Sequence, residues 1–138
     1  MKAREFLDQA YKLDQRINSK LEQISVLNDL ARKATGIITG MPHSPNHGES
    51  RVADAVEKIV DLQDEIRRDA DELVDVKRGI MHVIKAVDDV DCRLLLEMRY
   101  LCYRSWEQIA VDMGYNVRHV YRLHDEALMK VSVPQTQQ

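Results

Sequence analysis

Apolar residues recur at intervals of three and four over two long stretches, 2–34 and 52–87. This spacing places them along one side of an α-helix and excludes the strict alternation of a β-strand. Each stripe is too narrow to stabilise a helix alone, so each helix must pack against another. The first stripe comprises Phe6, Ala10, Leu13, Ile17, Leu21, Ile24, Leu27, Ala31 and Ala34, and the second Val52, Val56, Ile59, Leu62, Ile66, Ala70, Leu73, Val76, Ile80, Val83 and Val87. We therefore expect the two helices to form a long antiparallel hairpin.

The segment between the stripes is rich in residues that break helices. It holds three of the five glycines and two of the three prolines, namely Gly36, Gly40, Gly48, Pro42 and Pro45. This composition predicts a loop over about residues 36–50.

Two histidines in this segment, His43 and His47, lie four positions apart. Pro45 lies between them and no cysteine is near, so the helical geometry of a metal site is not available. A solvated loop is the favoured interpretation, and the chain is expected to bind neither a metal ion nor a cofactor.

A further helix is expected to begin near residue 88. Asp88, Asp89 and Asp91 favour a helix N-terminus because their charge complements the helix dipole. Over residues 91–101 the apolar set Leu94, Leu95, Met98 and Leu101 is predicted to pack behind the elements that follow. Cys92 and Cys102 are ten positions apart on this helix, too far to pair with each other, and are expected to be reduced.

The stretch from Ser105 to Leu128 predicts two short helices that meet at a glycine turn. Ser105 with Gln108 three positions later has the pattern of a capping box, so a helix begins at Trp106. Gly114 ends that helix in the left-handed conformation. Asn116 is a favourable N-cap for a second helix, from Val117 to about Lys130.

The apolar residues of these two helices share an inward side. Ile109, Ala110 and Met113 form it in the first helix, and Val120, Leu123 and Ala127 in the second. The sequence thus predicts an all-α chain in which a hairpin that mediates association (1–87) precedes a three-helix helix-turn-helix domain (88–131). A disordered tail (132–138) is expected to follow.

The outward side of the second helix carries residues suited to the major groove of DNA. Arg118, His119 and Arg122 are predicted to contact bases, while Asn116, Tyr121 and the start of the Trp106 helix hold the backbone. A merely solvated helix face is the alternative. Arg104, like Arg99, is a candidate for phosphate contact, with a salt bridge to Glu97 or Glu107 equally open.

The run RYLCYRSWEQIAVDMGYNVRHVYRLHDEALMKV resembles region 4 of sigma-70-type RNA polymerase sigma factors. An arginine-rich helix is followed by a short turn, by SWEQIAVDMG, and by a recognition helix that ends in ALMK. The whole chain also resembles a family of small sigma-like late-transcription regulators of phages and prophages in Gram-positive bacteria. The resemblance implies promoter contact, usually together with RNA polymerase. Tyr103 stands where such sequences often have glycine, so a differently shaped turn is expected there.

The charge balance bears on how such a protein would bind its partners. Residues 1–90 hold 14 basic and 17 acidic residues, and residues 91–138 hold six of each. A domain without excess positive charge is expected to bind double-stranded DNA weakly unless a second copy or a partner helps. Dimerisation through the hairpin would place half-sites about 34 Å, or a multiple of it, apart.

The sequence leaves a second class of function open. An interaction or assembly factor that uses the hairpin, such as a DNA-packaging adaptor or a polymerase-binding protein, is the alternative. An enzyme is not expected, since the sequence contains no set of nucleophile and base, no phosphate loop and no metal cluster. The chain has neither a long apolar run nor a signal-peptide pattern, so a cytoplasmic protein without membrane contact is expected.

Overall fold

The computed structural model describes residues 1–40 and 45–134, with side chains over 1–34 and 50–134. Every regular element in these ranges is helical, which confirms the prediction of an all-α chain. The elements are α1 (Ala3–Gly40), α2 (Pro45–Lys85), α3 (Val90–Leu96), α4 (Trp106–Met113) and α5 (Val117–Met129). A π-helical turn, Glu97–Leu101, continues α3 directly.

The predicted loop over 36–50 is wrong at both of its ends. Helix α1 continues to Gly40, and α2 begins at Pro45. A proline fits the first turn of a helix, because its fixed φ is already helical and its missing N–H would have no partner there. Pro45 therefore starts a helix where the sequence pattern suggested a loop. Residues 41–44 and the side chain of His47 lie outside the described residues, as does the tail from 135 on.

The chain divides into two compact units, of which residues 14–72 form one. Here α1 and α2 run antiparallel, as predicted for a hairpin: Lys20 Nζ lies 2.6 Å from Asp69 Oδ2 and 3.7 Å from Glu65 Oε1. Asp69 is buried, as is Leu62. Leu21 and Val56, predicted to face inward, are each 50% exposed, because two paired helices bury only a narrow seam.

Residues 1–13 and those from 73 on form the other compact unit. Its core combines Leu7 and Ala10 of α1 with Ile80 and Ile84 of α2. From the C-terminal helices it takes Leu95, Leu96, Tyr100, Ile109, Ala110, Val120, Leu123 and Ala127. The sequence predicted a boundary between the hairpin and the helix-turn-helix domain after residue 87. Residues on both sides of that position instead share one core.

Helix α3 begins where the aspartates predict. Asp89 caps it by accepting a hydrogen bond from the Cys92 N–H at 3.0 Å, and its other oxygen lies 3.1 Å from Lys130 Nζ, just after α5. The inward prediction for Leu94 is wrong, since this side chain is 39% exposed. In the π-helical turn the Cys102 N–H donates to Glu97 O, five residues back. Because the π-helical turn shifts the helical phase, Leu94 does not share a side with Met98 and Leu101, as α-helical spacing had predicted.

Candidate nucleic-acid interface

Helix α4 is fixed at its start by the predicted serine cap. Ser105 Oγ accepts a hydrogen bond from the Gln108 N–H at 3.2 Å. The Gln108 side chain does not complete the capping box, because its amide nitrogen donates instead to Asp112 Oδ1 at 2.9 Å. Half of the predicted box is thus present, and the glutamine braces the helix along its own length.

The turn between α4 and α5 has the predicted glycine geometry. Gly114 has a φ of 74°, in the left-handed region where a Cβ is disfavoured. The Tyr115 N–H donates to Ala110 O at 3.0 Å and closes the end of α4. Asn116, two residues after the glycine, caps α5, because its Oδ1 accepts a hydrogen bond from the His119 N–H at 2.7 Å. Hydrogen bonds therefore fix the backbone both before the turn, at the end of α4, and after it, at the start of α5.

The inward side of α5 is fully packed. Val120 and Ala127 have no exposed surface and Leu123 is 9% exposed, while Ile109 and Ala110 of α4 lie in the same core. A side chain of small volume at Ala110 permits the close approach of a crossing helix. These contacts fix which side of α5 faces outward.

Arg118 and Arg122 lie on the outward side of α5, four positions and hence one turn apart. Both are exposed, and neither guanidinium has an ion pair or hydrogen bond within the described part of the chain. Tyr121 is 45% exposed, and its ring packs edge-on against Trp106 with centroids 5.5 Å apart. One side of the Tyr121 ring is thus held by the domain, and the other faces solvent.

His119 and Asn116 are held more firmly than a freely solvated face would require. The His119 ring packs edge-on against Tyr115 at 4.4 Å, and the Tyr115 hydroxyl donates to Asp91 Oδ2 at 3.0 Å. This hydrogen bond raises the pKa of Tyr115 because the carboxylate stabilises the protonated phenol. The cap engages the Asn116 carbonyl oxygen and leaves the two N–H donors of the amide available to a partner.

Arg104 has a partner other than the two carboxylates considered from the sequence. Its Nη1 lies 2.8 Å from Asp112 Oδ2, which ties the residue before the Ser105 cap to the last turn of α4. Arg99 lies with its guanidinium 4.2 Å from the centre of the Trp106 ring, and it donates to Arg104 O at 3.0 Å. Both arginines therefore brace the approach to α4.

Tyr103, at the position where the resemblance leads one to expect glycine, has a φ of 57°. This left-handed conformation is costly for a residue with a bulky side chain. The ring is packed against Tyr11 at 5.5 Å and lies beneath Lys77 Nζ at 5.4 Å. The backbone thus takes the conformation that glycine favours, while the side chain anchors the turn to α1 and α2.

A buried polar pair behind the interface was missed from the sequence. The Tyr100 hydroxyl lies 2.6 Å from His124 Nε2, and the His124 ring packs edge-on against Trp106 at 4.6 Å. Burial lowers the pKa of His124 to about 4 and raises that of Tyr100 to about 12, since the charged form of each is desolvated. His124 lies four positions after the inward Val120, and this helical spacing could have predicted that its side chain is buried.

Other chemistry is sparse in the described residues. They contain no group of three or more potential metal ligands, and no helix among them is both long and apolar enough to cross a membrane. Cys92 is buried and Cys102 is exposed, and both thiols are free, as expected. Burial raises the pKa of the Cys92 thiol, which keeps it protonated.

Comparison with known proteins identifies a family for this chain. Neither the curated proteins nor the solved structures contain a match to this chain. A family model matches residues 43–132, which include the whole of α2, α3, α4 and α5. The chain therefore belongs to the family described as protein of unknown function (DUF1492).

Proposed function

We propose that this chain is a DNA-binding transcription regulator of phage type, in which α5 reads a promoter through a helix-turn-helix similar to sigma-70 region 4. In this proposal it acts as a dimer or together with RNA polymerase. The observation that carries the proposal is the pair of exposed, unpaired guanidiniums of Arg118 and Arg122 on a helix whose position is fixed by a cap, a glycine turn and a packed core.

Three surface arginines of α2 differ from this pair because each has a carboxylate partner. Arg67 and Arg68 lie within 3.7 Å of Asp64, and Arg78 lies 3.8 Å from Asp75. Such pairs are common on a solvated helix face, although the exposed Arg51 also lacks one among the described residues. Arg122 has Asp125 three positions ahead yet makes no ion pair with it. Arg118 and Arg122 are thus left available for bidentate contacts with guanine.

The remaining candidate residues have different roles in this proposal. We assign base contact also to the half-buried His119, and backbone contact to the Tyr121 hydroxyl and the Asn116 amide nitrogen. Arg104 is better suited to positioning α4, since its guanidinium is engaged by Asp112 at 2.8 Å. Phosphate contact by Arg104 would require exchange of that carboxylate for a phosphate.

The test is binding of the full chain to DNA fragments from its own genome neighbourhood, measured over a range of salt concentrations. Arg118→Ala/Arg122→Ala should abolish fragment-specific binding, since each bidentate base contact is worth about 1–3 kcal/mol. Lys12→Ala/Arg32→Ala is the matched control, because it removes the same charge from exposed positions of α1. Equal weak binding to every fragment, unchanged by the α5 substitutions, would refute promoter reading.

An interaction or assembly factor, such as a DNA-packaging adaptor or a polymerase-binding protein, is the second candidate. It is favoured by surface that α1 and α2 leave uncovered: Leu30, Val56, Val60 and Met81 are each at least half exposed. In that case the α5 substitutions would leave function intact, and a hydrophilic substitution at Val60 would abolish it. Measuring both variants for late-gene transcription and for particle assembly separates the two functions.

A further inference from the structure

An open groove of about 680 Å³ lies between the last turns of α2 and the outer side of α3 and its π-helical turn. Its floor is apolar and is formed by Met81, Ile84 and Leu101. Met81 is 56% exposed, a large fraction for a methionine whose neighbour Ile84 lies in the core. The groove thus offers apolar surface to a partner.

The rim of this groove is predominantly basic. Arg78, His82 and Lys85 come from α2 and Arg93 from α3, with Glu97 as the acidic exception. Lys85 and His82 have no ion-pair partner in the described ranges, and the weak pairing of Arg78 with Asp75 spans 3.8 Å between two side chains that are each 78% exposed. In part these cations complement the C-terminal end of the α2 dipole. Arg93 lies in the last turn of α3, and its guanidinium donates to Val87 O at 3.2 Å, so only part of it is available to a partner.

The same chain presents a surface of the complementary chemistry within residues 14–72. On α2, Val56 and Val60 are 50% and 56% exposed. Glu57 and Asp61 are exposed beside them at helical spacing, and neither carboxylate has an ion pair among the described residues. We call these four residues the acidic valine face. Carboxylates flanking uncovered valines match a groove with a basic rim and an apolar floor.

We propose that the basic groove of one copy binds the acidic valine face of a second copy, which makes the protein a homodimer. The acidic valine face and the α2 side of the groove lie on one continuous helix, which cannot bring its own residues 56–61 to its own residues 78–85. The contact is therefore between two chains. In a two-fold dimer each chain supplies one groove and one face, so the contact forms twice.

A second copy fits the groove better than a nucleic acid does. A phosphate backbone offers no apolar group for Met81 and Leu101, and Glu97 in the rim would repel it. The acidic valine face offers both an apolar ridge and carboxylates. This inference does not rest on promoter reading by α5, and its test contains no DNA.

Charge reversal tests the pairing in the full chain. The groove variant is Arg78→Glu/Lys85→Glu, and the face variant is Glu57→Lys/Asp61→Lys. Association is measured by sedimentation equilibrium, with circular dichroism to verify that each variant is folded. Each variant alone should dimerise with a Kd raised about tenfold or more, because both of its contacts then bring like charges together.

Mixing the two variants is the decisive step. A groove made acidic meets a face made basic, so this contact has the charges in exchanged positions. The second contact joins an unsubstituted groove to an unsubstituted face, so a heterodimer should form with near wild-type Kd. A chain carrying all four substitutions should recover self-association in the same way. Lys12→Glu/Arg32→Glu, which changes two exposed cations of α1 by the same charge, should leave the Kd unchanged.

Three outcomes would overturn the proposal. The first is a wild-type chain that stays monomeric throughout the accessible concentration range. The second is a wild-type dimer that neither reversal weakens, which would place the interface elsewhere. The third is the failure of the mixed variants to associate although each alone is weakened, since the groove and the face would then act separately and not on each other.

Discussion

The glycines at positions 79 and 114 should respond oppositely to the same change, Gly→Ala. Gly114 has a φ of 74°, and a Cβ built there meets no atom within 4 Å. The cost of Gly114→Ala is therefore backbone strain alone, about 1–2 kcal/mol for an L-residue held in the left-handed region. Gly79 lies within α2 at a helical φ, where alanine is favoured by about 0.5–1 kcal/mol.

The surroundings of Gly79 leave room for that gain. A Cβ at this position would lie 3.8 Å from Phe6 Cζ, an ordinary van der Waals contact. Gly79→Ala should therefore stabilise the chain, and the two alanine variants should differ by roughly 2 kcal/mol in free energy of unfolding. Gly114→Asn should cost less than Gly114→Ala, because asparagine tolerates the left-handed region.

Urea unfolding measures this difference. Trp106, the single tryptophan, lies at the start of α4 and reports locally by fluorescence, while circular dichroism reports on all helices. With a slope of about 2 kcal/mol per molar urea, Gly114→Ala should lower the midpoint by about 0.5–1 M and Gly79→Ala should raise it by about 0.3–0.5 M. A Gly114→Ala midpoint at or above that of the wild type would refute the left-handed turn.

Three further predictions concern the residues around the interface. The buried His124 is neutral, and its pKa is lowered from 6.5 to about 4. Because the unfolded chain takes up the proton first, the free energy of unfolding should fall by up to about 3 kcal/mol as the pH falls from 6.5 toward 4. Urea midpoints of His124→Gln should show a shallower decline in that window than those of the wild type, and an equal decline would exclude His124 as the cause. For the exposed pair of Arg104 and Asp112, a double-mutant cycle should give a coupling below about 1 kcal/mol that falls with salt, whereas a larger, salt-insensitive value would contradict solvent screening. Asn116→Ala should lower the free energy of unfolding by about 1 kcal/mol in thermal unfolding, because it removes the α5 cap. Asn116→Asp should retain most of the stability that the cap contributes, and equal losses for the two variants would contradict a capping role.

The features that the sequence predicted well are governed by short-range interactions. Ser105, Gly114 and Asn116 each act on backbone groups within four residues of themselves, so their pattern alone placed the ends of α4 and the start of α5. The inward positions of α5 followed from helical spacing in the same way. Local chemistry thus suffices where both partners of a hydrogen bond are close in sequence.

The features that the sequence did not predict depend on partners distant in the chain or on departures from α-geometry. Arg104 had acidic candidates on both sides, and only the path of α4 brings Asp112 to it. The π-helical turn inserts one extra residue per turn and so changes the helical phase relative to Leu94, and its sequence contains no pattern that predicts this insertion. His124 was assigned to neither the inward nor the outward side of α5, because its partner Tyr100 is 24 positions away.

Electrostatics connects the proposed interface with the proposed dimer. The exposed charges of α5 nearly cancel, since Arg118 and Arg122 precede Asp125 and Glu126. One copy that neutralises about two phosphates would have a salt slope of only about −2, against −5 to −9 for a protein that makes six to ten such contacts. Two copies held by the groove and the acidic valine face would double that slope and supply two reading helices at a fixed spacing. The reversals on α2 should therefore weaken specific DNA binding without touching α5, whereas Arg118→Ala/Arg122→Ala should abolish DNA binding and leave the dimer intact.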